Sequence, residues 1–162
     1  MSLDPQKFIV HIEIPAGSNI KYEVDEETGN IMVDRLMPTM MSYPENYGLI
    51  EDTKGKDGDA LDVLVFTSVP LMPNTYIKCK LIGMLEMEDE EGIDHKLLAV
   101  PVEKVDFICG KWQSMDDVPQ HRLDRMKHFF EHYKDLESGK WVKLNEFQGY
   151  DEAVKVFEEG QE

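Results

Sequence analysis

Asp57-Gly58-Asp59-Ala60-Leu61-Asp62-Val63-Leu64-Val65-Phe66 runs from an acidic turn straight into an apolar segment. Residues 61–67 read as a central strand, because a short apolar run that follows a turn fits a buried strand. The turn packs three carboxylates into six residues. Like charges so close repel and raise one another's pKa. A hard divalent cation such as Mg2+ reverses that, since it takes carboxylate and water oxygens. The stretch is therefore expected to be a metal-binding corner held rigid by the strand it feeds. The plainer reading, Asp-Gly as an ordinary turn, stands beside it. An EF-hand starting at Asp57 is excluded, because Leu61, Asp62 and Ser68 stand where an oxygen ligand, Gly and Glu are required.

Further strands lie on either side. Phe8, Val10, Ile12 and Ile14 alternate with Ile9, His11 and Glu13 up to Pro15, a period of two. Tyr22 and Val24, a loop ending in Gly29-Asn30, and Ile31-Met32-Val33 read as a β-hairpin. Residues 75–84 and 96–100 give two more strands, with an acidic loop from Met87 to Asp94 between them. Short strands at this spacing suggest a closed or nearly closed barrel, which removes exposed edges. The last third reads as helical. Asp116 or Asp117 serves as cap and Pro119 suits the first turn. Leu123, Met126, Phe129, Phe130, Tyr133 and Leu136 then share one face, with a stop at Gly139. A second helix covers residues 150–159, with Ala153, Val154 and Phe157 as its apolar side. Both helices are expected outside the barrel.

The 162 residues, 41% of them hydrophobic, suggest a single domain spanning 1–162. Against 17 Lys plus Arg stand 33 Asp plus Glu, a formal charge of −16. That argues against nucleic acid and against an anionic membrane surface as partners. A small phosphate compound stays compatible where metal ions mediate. Cys79 and Cys109 form no Cys-x-x-Cys pair and read as ordinary thiols in a reducing compartment. Met1-Ser2-Leu3-Asp4-Pro5 has no signal-peptide pattern, and no apolar run is long enough to span a bilayer. The expectation is a soluble, cytoplasmic protein.

Charged residues also sit where a barrel strand favours apolar ones. Glu13 and Glu23 lie on early strands, and Lys21 and Arg35 on the two arms of the hairpin. Asp89, Glu90, Glu91 and Asp94 form a second acidic corner, followed by Lys96. Singly, each reads as a solvated charge. Converging, two acidic corners hold two or more Mg2+ ions, while Lys21, Arg35 and a late Lys hold phosphate oxygens. Such a set suits phosphoryl transfer to water. Tyr43 and Tyr47, four apart around Pro44, either anchor a loop by packing or donate hydrogen bonds to phosphate or a carboxylate.

In order, spacing and residue type, the chain resembles the family I soluble inorganic pyrophosphatases of bacterial type. The likeness runs from Ile12-Glu13-Ile14-Pro15 through Lys21-Tyr22-Glu23, Val33-Asp34-Arg35, the segment from Tyr43 to Gly48 and the 57–62 signature. It continues through Asp89-Glu90-Glu91-Gly92-Ile93-Asp94-His95-Lys96 to the segment from His128 to Asp135. The resemblance implies an α+β, mainly β fold, an OB-like five-stranded β-barrel with flanking helices. It implies hydrolysis of pyrophosphate to two phosphates with several Mg2+ ions, by a homo-hexamer. By position, Asp57, Asp62 and Asp94 resemble ligands of the central metal pair. Asp59 resembles the general base beside those metals. Asp89 resembles a ligand of a substrate-bound Mg2+, and Glu13 a residue close to the metals. Lys21, Arg35, Tyr133 and Lys134 match the phosphate-binding set. Glu23, Tyr43, Tyr47, Glu90, Lys96 and Lys140 match positions that line or support the pocket, and Arg35 and Tyr47 are also counted as catalytic.

Departures are few. Ala60 stands where the signature usually has Pro, which would fix φ. Leu49 replaces an aromatic residue, and His95 lies between Asp94 and Lys96. His128 and His132 share a helix face away from the apolar stripe, a face expected to pack against another subunit. Among competing readings, a non-catalytic OB-like metal-binding module is disfavoured. OB barrels that bind single strands use basic grooves, and cation storage has no need of Lys21, Arg35 and Lys134. A phosphatase for organic phosphates would need a segment to cradle base or sugar, and none stands out.

Overall fold

The computed structural model describes residues 2–161. Its elements are β1 (Phe8–Ile14), β2 (Ile20–Val24), β3 (Ile31–Leu36), β4 (Asn46–Ile50), β5 (Leu61–Val65), β6 (Thr75–Asp89), β7 (Gly92–Ile93), β8 (Lys96–Pro101), α1 (Gln120–His132), β9 (Val142–Gln148) and α2 (Tyr150–Glu159). β1 pairs with β4, β4 with β5, β5 with β8, β8 with β6 and β6 with β1. Five strands thus close a ring, antiparallel throughout except for β5 with β8. The apolar run that follows the acidic turn sits between β4 and β8, as a central strand should. β2 and β3 form a separate hairpin, and β7 and β9 extend β6 beyond the ring.

Two apolar clusters explain why the strands read as runs. Val10, Ile12, Ile50, Leu61, Val63, Val65, Ile77, Leu97 and Ala99 fill one, and α2 adds Ala153 and Phe157, whose ring lies 5.0 Å from that of Phe8. Their neighbours Leu64, Phe66, Ile82, Leu85, Leu98 and Val100 form the other, with Leu123, Met126, Phe129 and Phe130 of α1. Both faces of β5 and β8 are therefore buried, so neither strand shows a polar alternation. The period of two sets Asp62 on the same face as Leu64, and Lys96 on the same face as Leu98. Polar site residues thus stand at the edge of the cluster that α1 covers.

Five local expectations are corrected. The acidic segment from Met87 to Asp94 is not a loop: β6 continues to Asp89 and turns tightly through Glu90-Glu91 into β7. Met87 and Asp89 are buried where Glu88 is not, a strand period hidden by the charges. α1 ends at His132, not near Gly139, and Leu136 is 69% exposed rather than part of the stripe. Pro119 stands just before the helix, and Asp116 and Asp117 belong to a separate short turn capped by Ser114. The segment from Tyr43 to Gly48 becomes β4 from Asn46 onward. β9 had no counterpart in the sequence reading; its alternating Val142 and Leu144 were the available signal.

Two buried polar side chains pin the approach to β4. Asn46 donates to the Val65 carbonyl at 3.0 Å and to Thr67 Oγ1 at 2.7 Å, and accepts from the Leu71 and Ala16 amides. Glu45, 3% exposed, accepts from Arg122 Nε at 3.0 Å and Nη2 at 2.6 Å, tying α1 to this strand. Removing one partner of a buried ion pair costs more than removing both. Arg122→Met should lower the unfolding free energy by about 3 kcal/mol, measured by urea denaturation, and adding Glu45→Gln should restore most of it. Equal stability of Arg122→Met and the unmutated protein would show that the pair holds nothing.

Candidate active site

The acidic turn is shaped by its own backbone. Gly55 N donates to Asp59 O at 2.7 Å and Gly58 N to Gly55 O at 3.1 Å. Gly58 adopts φ +89°, which a residue with a Cβ rarely takes. Asp59 N donates to Asp57 Oδ1 at 3.0 Å, which aims the Asp57 carboxylate. Asp62 follows on β5, and Asp94 precedes the neighbouring β8. One carboxylate oxygen each from Asp57, Asp62 and Asp94 lies within 4.8 Å of the others.

Lys96 sits among them, 3% exposed. Its ammonium donates to Asp62 Oδ2 at 2.7 Å, Asp94 Oδ2 at 2.9 Å and the Tyr47 hydroxyl at 2.7 Å. Burial pushes Asp62 up to about 6, against the pull of Lys96. Burial also opposes the charge on Asp94, but the same ammonium wins there and holds it below the usual carboxylate range. Asp57 is raised by burial and by the charges of Asp94 and Asp59. Glu13 accepts from Val24 N at 2.9 Å and is still pushed up to about 7, chiefly by burial. Glu23 is raised by burial and by neighbouring Asp34. Burial thus opposes the charged form of Glu13, Asp57 and Asp62, while Lys96 favours it at Asp62 and Asp94.

Four further cations, Lys21, Arg35, Lys134 and Lys140, are held by carboxylates. Lys134 Nζ lies 3.0 Å from Asp89 Oδ2 and 3.3 Å from Glu90 Oε2. Lys21 pairs with Asp34 at 3.6 Å, and Arg35 Nε with the same carboxylate at 3.1 Å. Arg35 also pairs with Glu137, which meets Lys140 at 3.2 Å. Tyr43 meets Tyr47 edge-on with centroids 5.6 Å apart, and Phe129 stacks on Tyr133 at 5.1 Å. Burial raises the phenols of Tyr43, Tyr47 and Tyr133, so they remain hydroxyl donors.

The sixteen side chains to which the resemblance gives a site role line one cavity of about 800 Å3. Glu13, Lys21, Glu23, Arg35, Tyr43, Tyr47, Asp57, Asp59, Asp62, Asp89, Glu90, Asp94, Lys96, Tyr133, Lys134 and Lys140 meet there, from both acidic corners, the hairpin and the end of α1. His95 faces away from it: its Nδ1 accepts from Met87 N at 3.1 Å. Two residues were given no role from sequence. Asp34 bridges Lys21 and Arg35, and Glu137 bridges Arg35 and Lys140. Asp34 adjoins Arg35 and was legible as part of a motif; Glu137, in a turn after α1, had no spacing signal.

Comparison with known proteins agrees with this geometry. The family model for inorganic pyrophosphatase matches residues 10–162. The inorganic pyrophosphatase of Thermoplasma volcanium is 55% identical over 96% of this chain and 92% of that protein. That of Aquifex pyrophilus is 51% identical over 96% of this chain and 88% of that protein. The solved inorganic pyrophosphatase of Helicobacter pylori superposes with a TM-score of 0.96 at 46% identity, covering 99% of this chain and 94% of that one. With the barrel, the acidic corners and these matches in agreement, the chain belongs to the inorganic pyrophosphatase family.

Proposed function

We propose that this chain hydrolyses inorganic pyrophosphate to two orthophosphates, with Mg2+ held by Asp57, Asp62 and Asp94 and further ions met by Asp59, Asp89 and Glu13. One observation carries the reading: carboxylate oxygens within 4.8 Å of one another share a cavity with Lys21, Arg35, Lys134 and Lys140. The donor set is all oxygen, which fits a hard cation and not a thiolate- or imidazole-seeking metal. The raised pKa values of Glu13, Asp57 and Asp62 mark a place that gains from added positive charge. Bound Mg2+ neutralises carboxylate and phosphate oxygens and acidifies water.

The chain's own groups do the rest. Lys21, Arg35, Lys134 and Lys140 face the cavity and bind phosphate oxygens, Arg35 as a fork. Tyr47 and Tyr133 hold hydroxyl protons to donate to the same oxygens. Asp59 is exposed in the turn, and its carboxylate has no ion-pair partner among the described residues. It is placed to accept the proton from the attacking water. Lys96 and Glu90 position Asp62, Asp94 and Lys134, and Glu23 and Tyr43 shape the wall.

The same reading makes the protein a cytoplasmic homo-hexamer without nucleic-acid or membrane partners. The −16 charge supports the last point, and no helix among the described residues is long and apolar enough to cross a membrane. The helix face of His128 and His132, rings 4.7 Å apart and turned from the core, is the proposed contact between subunits.

Phosphate release from pyrophosphate, ATP and a simple phosphomonoester tests the activity. Pyrophosphate alone should be cleaved rapidly with Mg2+, and chelation should abolish release; no release from pyrophosphate would end the proposal. Asp59→Asn should lower kcat on the order of 100-fold or more while Mg2+ binding persists, and near-normal turnover would remove Asp59 from the base role. Glu13 gives a pH signature in the metal-free protein. Its folded pKa of about 7 exceeds the ordinary 4.5, so its contribution to stability is full below 4.5 and is lost as pH rises through 7. Between pH 8 and pH 6 the chelated protein should gain about 1 kcal/mol more than Glu13→Gln, read by urea unfolding; parallel curves would contradict the shift. Light scattering at neutral pH should give the mass of a hexamer, reduced by His128→Glu. A monomer, or a hexamer indifferent to that change, would count against the proposed contact.

A further inference from the structure

We propose that Gly160, at the C-terminal end of α2, is a positioning residue for the metal-binding turn, holding Asp57, Asp59 and Asp62 in place through Lys54 and Leu61. The inference rests on the reading that this turn binds Mg2+. Residues 53–60 have open space on two sides. The 800 Å3 cavity lies on one. A second cavity of about 320 Å3, lined by Lys56, Ala60, His95 and Val156 among others, lies on the other. Asp57 and Asp62 contribute to both walls. The turn is thus not fixed by core packing around its tip.

What fixes it is a short set of contacts. The Gly55–Asp59 and Gly58–Gly55 hydrogen bonds shape the turn but travel with it. Thr53 Oγ1 donates to Ile50 O at 2.6 Å and accepts from Leu61 N at 3.0 Å, which closes the base of the same stretch. Lys54 N donates to Gly160 O at 2.7 Å. Among the described residues, this is the one hydrogen bond that joins 53–60 to a distant element. Ala60 leaves its φ free where Pro would fix it, so the turn relies more on its anchors.

Leu61 makes the second half of the abutment. It is 5% exposed, in the cluster with Phe157, and it lies between Ala60 and Asp62. A Cβ at position 160 would fall 2.8 Å from Leu61 Cγ and 3.0 Å from Cδ2, with Cδ1 closer still. Rotating the methyls does not clear Cγ, so Leu61 must either turn about its Cα–Cβ bond, out of its place in the cluster with Phe157, or shift with the backbone that carries Asp62. On the other side of the contact, α2 is seated by Ala153 and Phe157, both fully buried. Glycine at 160 therefore permits a contact that sets where the carboxylates stand. Groups that orient metal ligands commonly change affinity by about 10–100-fold when lost.

Calorimetric titration of Mg2+ into the chelated, desalted full chain tests this, with four proteins compared. Gly160→Ala should bind Mg2+ about tenfold more weakly than the unmutated protein. The Mg2+ concentration for half-maximal pyrophosphate hydrolysis should rise in step, with kcat at saturating Mg2+ within about twofold. The double variant Gly160→Ala/Leu61→Ala removes all three atoms that the new methyl meets, so Mg2+ affinity should recover towards normal even though it is less stable. Leu123→Ala, buried in α1 and in the other apolar cluster from Leu61, should lower the melting temperature while leaving Mg2+ binding unchanged. The proposal is overturned if Gly160→Ala titrates like the unmutated protein, if the double variant shows no recovery, or if Leu123→Ala weakens binding equally. If the unmutated protein takes up no Mg2+, the metal reading fails, and this inference fails with it.

Discussion

A single buried ammonium organises the site. Lys96 reaches Asp62, Asp94 and the Tyr47 hydroxyl together, from three strands or strand ends that the barrel brings side by side. Without it, two desolvated carboxylates would face each other, and breaking such a buried arrangement commonly costs about 3–5 kcal/mol. The ring of strands serves this arrangement. The parallel pairing of β5 with β8 sets Asp62 beside the lead-in to Lys96, and the antiparallel pairing of β4 with β5 brings Tyr47 opposite Leu64. Everything else in the cavity is placed around that knot.

The two acidic corners differ in construction. The first is a turn whose geometry depends on Gly58 at positive φ and on amide-to-carboxylate bonds within the turn. The second is a strand end, where Asp89 closes β6 and the Asp89 carboxylate accepts from Glu91 N at 2.9 Å. The strand end is inherently stiffer, because the ladder with β7 and β9 carries it. The turn borrows stiffness from elsewhere in the chain.

Much of this was legible in the sequence because charge is conspicuous where a strand period expects an apolar residue. Asp62, Lys96 and Glu13 announced themselves that way, and β1, β5 and the β2–β3 hairpin followed from period and turn residues. The barrel's closure was legible only as a tendency, since pairing of β1 with β6 joins residues nearly seventy apart. Other features were hidden by what surrounds them. Asp89 looked like part of a polar loop because its strand alternates charged and apolar residues. α1 looked longer because Tyr133 and Leu136 continue a helical period past His132, yet the chain turns there and Lys134 meets Asp89. The Glu45–Arg122 and Arg35–Glu137 contacts join residues far apart in the chain, which no local pattern encodes.

The pairing of Lys21, Arg35, Lys134 and Lys140 with carboxylates has a consequence for the proposed turnover. On the proposed reading, a phosphate bound by these side chains would take the place of Asp34, Glu137, Asp89 or Glu90 as counter-ion. The energy of each such contact would be the difference between two acceptors. On departure of an orthophosphate the internal partner would be at hand to close behind it. A pocket crowded with opposite charges can thus grip a tetra-anion and still let its fragments go.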